Sequence, residues 1–311
     1  MACRTYLIRF AYAALVLVLL SPVFAAFVGR ALGPGLLHPR NFNPMRTEQT
    51  AEMLLRTAAK EEDFSVLASD GIELRGWKIR SRFSSDDWIL MFHGVSDNRT
   101  GVLGHAELLL RQGYNVVMMD SRAHGESGGS MATYGWKERY DTVSITDALY
   151  STEKVRHLGA LGVSMGAAIA LQSAAVEPRI EGVVAEDPFA DLREVSYDYA
   201  GLHFSPFLGK TLFLPATIFA MSEMARAGGF PPDAVSPEDA VAARPFPILL
   251  ICGTRDRTIP CRHAEDIYYK ARGPKELWIV EGGEHASALG RAPLKYENRV
   301  IRFLTKAFST F

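Results

Sequence analysis

The chain has 311 residues and a formal net charge of −1, with 48% hydrophobic and 22% charged residues. A chain of this length and composition can bury a full apolar core, and an α/β sheet of this size commonly forms one catalytic domain. The near-zero charge provides no overall attraction to polyanions, and no long run of lysine and arginine creates a local one. Nucleic acid is therefore not an expected partner.

The N-terminal residues 1–30 contain a nearly continuous apolar run over 10–28, preceded by Arg4 and Arg9. A run of this length suits a membrane span. The alternatives are a buried helix and a cleaved signal peptide, in which small residues near Pro22 would precede the cut. Because the apolar run continues past that point, the sequence favours a single-pass N-terminal membrane anchor over a secreted or periplasmic protein. Arginines lie on both sides of the run and do not decide its orientation.

Strand and helix signals alternate along the rest of the chain. Residues 31–63 are interpreted as a linker with a short amphipathic helix over 47–62, and Asp70-Gly71 as a hairpin turn. We expect strands over 64–69, 72–81, 88–92, 115–120, 158–163, 182–186, 247–252 and 276–280, and helices over 102–112, 137–155, 165–176, 262–271 and 294–308. This order predicts an α/β domain over 64–311, with a mostly parallel sheet and helices on both faces.

The three cysteines, Cys3, Cys252 and Cys261, are too few and too irregularly spaced for a disulfide scaffold or a cysteine-based zinc site. Cys252 ends a predicted buried strand, where a thiol is usually an inert part of the core. The sequence therefore favours a free Cys252 over a bridge from Cys252 to Cys261.

The stretch Gly162-Val163-Ser164-Met165-Gly166 joins a predicted strand to a helix rich in small residues. A nucleophilic serine needs a tight turn that pushes its hydroxyl out of the sheet, with glycines where a Cβ would collide with neighbouring elements. The alternative is a glycine-bearing turn that holds an incidental serine. The strand before it and the helix after it favour Ser164 as the nucleophile.

Polar residues after other apolar strands complete a catalytic set. In open α/β sheets, ligands and catalysis collect at the carboxyl ends of the strands, and Asp256 and His285 each follow a predicted strand. A serine hydroxyl needs a base to take its proton, and an imidazole serves best when a carboxylate fixes its tautomer. We therefore expect Ser164, His285 and Asp256 to form a triad, with Asp187, which also follows a strand, as the competing acid.

Two backbone N–H groups are candidates for an oxyanion hole, because a tetrahedral intermediate needs donors aimed at its oxyanion. One is the N–H of Met165, directly after the serine, and the other is that of Val95, after His93-Gly94. His93 and His124 are interpreted as residues that shape the neighbouring loops rather than as catalysts.

The connection between Asp187 and Pro247, about 60 residues, exceeds an ordinary link between strand and helix, so residues 188–246 are expected to fold as a cap over the active site. This segment is strongly apolar, with prolines as breaks. Such side chains more often only pack a cap onto the sheet. The sharper hypothesis is an apolar pocket for an acyl chain, in which Phe219 and Met224 would contact the substrate.

With these motifs the chain resembles the serine hydrolases of the α/β-hydrolase fold, from about residue 64 to the C-terminus. His93-Gly94 with Asn98 is similar to the oxyanion strand end of that family. Residues 120–129 resemble its Asp-x-Arg-Gly-His-Gly-x-Ser loop, with Ala123 where glycine is usual. The chain is most similar to the membrane-associated hydrolases of the peptidase-S9/S33, or serine aminopeptidase-like, group. The resemblance implies hydrolysis of an ester, thioester or amide of a small acyl substrate through an acyl-enzyme, with no metal or organic cofactor.

Two other functions are compatible with the same residues. An acyltransferase would use the same triad but would need an acceptor pocket that excludes water. A catalytically silent binding module usually lacks a triad residue, whereas this chain retains Ser164, Asp256 and His285. The sequence therefore favours a serine hydrolase, and it leaves open the substrate, the membrane face and the oligomeric state.

Overall fold

The computed structural model describes residues 2–41 and 48–309, and strands and helices alternate within these ranges. The strands are β1 Lys60–Leu67, β2 Glu73–Arg80, β3 Asp87–Phe92, β4 Asn115–Met119, β5 His157–Val163, β6 Ile180–Glu186, β7 Ile248–Gly253 and β8 Lys275–Val280. The helices are α1 Ala2–Leu32, α2 Glu48–Thr57, α3 Leu103–Arg111, α4 Glu138–Thr152, α5 Met165–Val176, α6 Leu192–Gly201, α7 Pro206–Gly209, α8 Leu214–Gly228, α9 Pro237–Ala243, α10 Arg262–Lys270, α11 Ala288–Arg291 and α12 Pro293–Phe308. Short 3₁₀ helices cover Pro34–Leu37, Arg99–Val102 and Pro232–Ala234.

The eight strands form one sheet in the order β1-β2-β4-β3-β5-β6-β7-β8. The pairs β1–β2 and β2–β4 are antiparallel, and all other neighbouring strands are parallel. The predicted mostly parallel α/β sheet is thereby confirmed. Because β3 and β5 to β8 run in the same direction, their carboxyl ends lie along one edge, where ligands bind in such sheets.

Buried apolar side chains cover both faces of this sheet. Trp88, Leu90 and Phe92 of β3 belong to one cluster, whereas Ile89 and Met91 belong to the other, because successive side chains of a strand point to opposite faces. Helices α4, α5, α9 and α10 contribute to the first cluster, and α2, α3 and α12 contribute to the second. A strand covered on both faces must be apolar throughout, as this stretch of β3 is.

The first predicted helix after the linker is shorter than the sequence pattern indicates. Helix α2 ends at Thr57, and residues 60–62 belong to β1, where Lys60 pairs with Arg80 of β2. The charged residues of 60–62 suit an exposed helix face, but they are equally acceptable on an edge strand. Pairing with β2 decides between the two, and local periodicity does not contain that information.

By internal packing the chain divides into two compact units. The first comprises Met1–Leu37 and Ser196–Pro232, and we call it the α1–α8 unit. The second comprises His38–Val195 and Asp233–Phe311, and we call it the sheet unit. The division into 1–30, 31–63 and 64–311 stays a prediction.

The connection between β6 and β7 carries helices α6 to α9, so residues 188–246 form a helical insertion in the order of the fold. This agrees with the expected helical character of the segment. Its expected place over the active site stays a prediction.

Helix α1 occupies Ala2–Leu32. Within the part of the chain that the structure describes, no helix combines the length and the apolar character required to cross a membrane. The structure therefore does not support the expected N-terminal membrane span, and the anchor stays a prediction.

A disulfide joins Cys252 and Cys261, so the prediction of a free Cys252 is wrong. Cys252 lies in β7, and Cys261 directly precedes α10. The two Cα atoms lie 5.3 Å apart, a distance that suits a disulfide. This proximity arises from the path of the loop in three dimensions, which the spacing of the cysteines does not reveal.

Candidate active site

Ser164 occupies the turn between β5 and α5, with φ 58° and ψ −121°. A non-glycine residue in a sparsely populated region of this kind costs about 1–3 kcal/mol. The flanking glycines make the turn possible, since a Cβ on Gly162 would collide with the backbone of Gly166, and a Cβ on Gly166 with the carbonyl of Phe92. The Ser164 N–H donates to the Glu186 carbonyl over 2.8 Å, which ties the strained turn to β6.

The structure brings Ser164, His285 and Asp256 together. The distance from Ser164 Oγ to His285 Nε2 is 2.9 Å, and that from His285 Nδ1 to Asp256 Oδ2 is 2.6 Å. Because a carboxylate only accepts hydrogen bonds, we assign the imidazole proton to Nδ1, which leaves Nε2 to accept from the serine hydroxyl. The Asp256 side chain is fully buried, whereas the His285 side chain is one-quarter exposed. Solvent therefore reaches these three side chains from the side of His285.

Asp256 is held by its own loop as well as by the histidine. Its Oδ1 accepts the N–H groups of Thr258 at 2.7 Å and Ile259 at 2.9 Å, while Oδ2 faces His285. The disulfide between Cys252 and Cys261 closes the same loop at its base. The carboxylate is thus oriented before any substrate arrives, which is what an orienting acid requires.

The environment of His285 favours its protonated form. Burial by itself lowers the pKa of the imidazole, but the hydrogen bond and charge of Asp256, with the charges of Asp187 and Glu186, outweigh it and raise that pKa above the ordinary 6.5. A higher pKa makes the neutral imidazole a stronger base, and the same carboxylates stabilise the cation that it becomes.

Asp187, the predicted competing acid, lies beside the histidine without bonding to it. Its Oδ2 is 3.9 Å from His285 Nδ1, beyond hydrogen-bond distance. The carboxylate instead accepts the N–H of Ala286 at 2.7 Å and that of Gly253 at 3.3 Å. It therefore links the histidine loop to the end of β7, from which the Asp256 loop departs. Burial, together with the charges of Asp256 and Glu186, raises the pKa of Asp187 to about 7.

Glu186, which the sequence reasoning missed, holds the histidine loop at a second point. Its fully buried carboxylate accepts the N–H of Ala288 at 3.0 Å through Oε1 and contacts His105 Nε2 at 3.0 Å through Oε2. Two consecutive acids at the end of β6 thus bind the backbone of the segment that carries His285. The signal was present in the sequence as Glu-Asp directly after a buried apolar strand, since acids rarely occupy such positions without partners.

Two buried histidines connect the loop after β3 to the loop after β4. The Ser121 N–H donates to His93 Nε2 at 3.0 Å, and the Ser96 N–H donates to His124 Nε2 at 3.3 Å. His93 Nδ1 is 2.8 Å from the carbonyl of Gly94, so it is assigned as the donor. Burial lowers the pKa of His93 to about 3 and also lowers that of His124. Both rings are therefore neutral at ordinary pH, and these contacts are those of loop-shaping residues.

The two predicted oxyanion donors belong to segments beside the nucleophile. Gly94 lies against Ser164, because a Cβ on Gly94 would be 3.6 Å from the serine Cβ, and Val95 follows it directly. Met165 is the first residue of α5, so its N–H has no carbonyl one turn earlier in the helix to accept it. The use of these two groups as an oxyanion hole stays a prediction.

The loop after β4 contains the one departure from the family motif. Asp120 fastens this loop by accepting the N–H groups of Arg99 at 2.7 Å and Glu126 at 2.8 Å. Ala123 has φ 61°, a left-handed conformation that costs an L-residue about 1–2 kcal/mol. Alanine here adopts the kind of backbone that glycine adopts without strain, which explains why the motif usually has glycine.

Phe219 and Met224, the candidate contacts for an acyl chain, both lie on α8 in the α1–α8 unit. Met224 is almost fully buried, and Phe219 is 40% exposed. Their role in substrate binding stays a prediction.

Asp187, Asp256 and His285 also form a group whose potential ligand atoms lie within 4.8 Å of one another, close enough to hold a metal ion. The hydrogen bonds to Ser164, Ala286 and the Asp256 loop already engage these same side chains. The donor set is therefore described more simply as a hydrogen-bonded triad with an adjacent carboxylate.

Comparisons with known proteins agree with this fold. The family described as serine aminopeptidase, S33, matches residues 84–236. The uncharacterized protein YqkD of Bacillus subtilis is 31% identical over 247 residues, which is 78% of each chain. The uncharacterized protein YfhR of Salmonella typhimurium is 28% identical over 81% of this chain and 84% of its own. The esterase Pf2001 of Pyrococcus furiosus superposes with a TM-score of 0.71 at 25% identity, over 87% of this chain and 98% of the esterase.

The chain belongs to the α/β-hydrolase family, as the resemblance of its motifs implies. The family and its esterase neighbour support a hydrolase activity.

Proposed function

We propose that this protein is a serine hydrolase that cleaves an ester, thioester or amide through an acyl-enzyme. The hydrogen-bonded series from Ser164 Oγ through His285 to Asp256, with distances of 2.9 and 2.6 Å, is the observation that supports it. An imidazole in this position removes the hydroxyl proton as the oxygen attacks a carbonyl carbon.

The reaction then follows from the positions of the groups. Ser164 Oγ bonds to the carbonyl carbon, its proton passes to His285 Nε2, and Asp256 stabilises the imidazolium. The N–H groups of Val95 and Met165 donate to the oxyanion. Collapse of the intermediate breaks the bond to the leaving group, which takes the proton from His285. Water, deprotonated by the same imidazole, then attacks the acyl-serine; the bond from the carbonyl carbon to Ser164 Oγ breaks, the acid leaves, and Oγ takes the proton back from His285.

The test is hydrolysis of a series of p-nitrophenyl esters, combined with labelling by a fluorophosphonate. Replacement S164A should lower the turnover of the hydrolysed esters by about 10⁴-fold or more and abolish labelling, because the serine supplies the covalent bond. The matched control is S144A on α4, where the native hydroxyl donates a hydrogen bond to the carbonyl of Tyr140. Labelling or hydrolysis that persists in S164A would overturn the proposal, whereas labelling without ester turnover would direct the search to amides and thioesters.

We also propose that the apolar segment around α8 binds the acyl chain, with Phe219 and Met224 as contacts. Replacements F219A and M224A should then shift the preferred acyl-chain length of the ester series, because each removes apolar volume from a pocket. The control is I218A, a neighbouring exposed position of α8. An unchanged chain-length profile in both variants would remove this assignment and leave the triad assignment untouched.

A further inference from the structure

Exposed apolar side chains concentrate in the α1–α8 unit. Among the residues that the structure describes, 27 large apolar side chains are exposed, and 17 of them lie in Met1–Leu37 or Ser196–Pro232. Scattered exposed apolar residues are normal on a protein surface, but a contiguous concentration marks a surface that something apolar covers.

On α1 these side chains surround the helix axis. At 100° per residue, Leu15, Tyr12, Phe27, Phe24 and Leu32 point in five directions separated by 60–100°, and their exposure lies between 53% and 71%. A protein partner would cover one face of such a helix. A helix that exposes apolar side chains in so many directions needs an apolar environment around them, and lipid provides one.

The segment Ser196–Pro232, which we call the cap segment, shares this character, and its helix α8 packs tightly on α1. A Cβ on Gly29 would lie 2.5 Å from the Cβ of Phe219 and 2.6 Å from the carbonyl of Ala216, so only glycine permits this approach of α1 to α8. The segment between α6 and α8, which includes α7, exposes Phe204, Phe207 and Leu212, at 72%, 73% and 67%. Because α1 and α8 pack within one compact unit, these side chains are carried by the same body as the apolar helix.

The charge of the N-terminal part indicates which lipid suits it. Residues 1–37 contain Arg4, Arg9 and Arg30 and no aspartate or glutamate, which is a net charge of +3 from the side chains. Each basic residue near an anionic membrane surface adds to the attraction between the protein and the lipid. The segment 196–232 has two acids and two bases and adds no net charge.

We propose that the α1–α8 unit is a lipid-contacting surface, in which α1 is immersed in an anionic membrane and Phe204, Phe207 and Leu212 of the cap segment enter the same leaflet. This inference goes beyond the proposed hydrolase activity and does not depend on it. It assigns to the cap segment a direct contact with lipid.

The test uses the full chain with vesicles of phosphatidylcholine and phosphatidylglycerol. All four native tryptophans lie in the sheet unit, so a tryptophan placed in the other unit reports on that unit when wild-type emission is subtracted. In F207W the added emission should shift to the blue, and brominated phosphatidylcholine should quench it at least about twofold, since bromine quenches only tryptophan within the lipid. The matched control is L294W on α12 of the sheet unit, 75% exposed in the native protein, which should show neither change.

A second measurement tests the charge argument. Replacing Arg4, Arg9 and Arg30 by glutamine should weaken partitioning to the anionic vesicles by at least about tenfold, and neutral vesicles should show no such difference. Fluorophosphonate labelling of each variant, measured in parallel, keeps a failure of the hydrolase proposal separate from a failure of this one.

Three outcomes would overturn the proposal. The full chain could remain unbound to the vesicles, or it could bind while the F207W emission is unquenched. In the third outcome, the F207W emission shifts to the blue without lipid and the molecular mass doubles. The exposed apolar surface would then be an interface between two copies of the chain.

Discussion

Backbone strain in this molecule is concentrated around the candidate site. Ser96, Ala123, Ser164, Asp187 and Ala286 all have φ between 50° and 61°, and all five lie on the loops that carry the site residues or contact them. Such conformations persist only where surrounding contacts enforce them, and they are typical of functional sites whose groups are positioned before a ligand binds. Hydrogen bonds hold two of these residues directly, since the Ser96 N–H donates to His124 and the Ala286 N–H donates to Asp187.

The strain at Ser164 predicts a gain of stability when that residue becomes glycine. Replacement S164G should raise the free energy of unfolding by about 1 kcal/mol, because glycine adopts this backbone without steric cost, while activity is lost. Urea denaturation measures the change. Replacement S164A should abolish the same activity but raise the free energy of unfolding only slightly. Replacement A123G should raise the free energy of unfolding and keep the activity. Equal stability of S164G and S164A would contradict the argument.

Asp187 should control the pH dependence of the reaction. Its charge helps to raise the pKa of His285, and the imidazole must be neutral to act as the base, so the rate rises with pH through that pKa. Removing the charge in D187N lowers the pKa of His285, so the acid limb of the kcat/KM profile should move to lower pH. Turnover should fall by about tenfold, because the amide oxygen can accept the N–H of only one of Ala286 and Gly253.

The control for this prediction is D191N. Asp191 lies on the same connection and accepts the N–H groups of Arg193 and Glu194 instead. Its replacement should leave the acid limb in place. An acid limb that does not move in D187N would show that the neighbouring carboxylate has no electrostatic role.

Among the elements, the loop between β7 and α10 combines a side chain of the candidate site, Asp256, with a covalent closure. The disulfide joins residues 9 positions apart and spans the Asp256 loop. A bond that closes a loop of this size restricts the unfolded chain and stabilises a protein by about 2–3 kcal/mol. It also keeps the N–H groups of Thr258 and Ile259 near the carboxylate that they orient.

Reduction of this disulfide should therefore weaken both stability and activity. Dithiothreitol, or the double variant C252A and C261S, should lower the free energy of unfolding by about 2–3 kcal/mol and reduce turnover, because Asp256 becomes less well oriented. The control variant is C3S, which leaves the disulfide between Cys252 and Cys261 intact. Identical urea midpoints with and without the reductant would contradict the prediction.

At the scale of the whole molecule, the two compact units differ in what stabilises them. The sheet unit contains both apolar clusters of the sheet, whereas the α1–α8 unit exposes most of its large apolar side chains. Stability in water follows the apolar area that is buried, so the two units should unfold with different free energies.

This difference predicts two unfolding steps in the absence of lipid. Helix α1 and α8 contribute to the far-ultraviolet circular dichroism, while the four tryptophans report on the sheet unit alone. Increasing urea should first lower the dichroism at 222 nm with tryptophan fluorescence unchanged, and then change both. Coincident transitions of the two signals would show that the chain unfolds as one cooperative body.

The sequence by itself predicted the alternation of strands and helices along the sheet unit and the three residues, Ser164, His285 and Asp256, that the structure brings together. Apolar runs such as 88–92 are long enough to be covered on both faces, and the glycines around Ser164 suit only a tight turn. Parallel strands place the residues that follow them at one edge, so Asp256 and His285 were predicted to lie near Ser164 without coordinates. These features depend on local patterns and on one topological rule.

Only the tertiary structure decided the pairing of residues 60–62 with β2, the disulfide, and the hydrogen bonds of Glu186 and Asp187 to the histidine loop. Each joins groups whose distance is set by the packing of the whole sheet. The residues at those positions were also compatible with a longer helix, a free thiol and Asp187 as the triad acid, and the sequence pattern favoured the first two of these alternatives. Interactions with distant parts of the chain select among these alternatives, and a local sequence pattern does not encode such interactions.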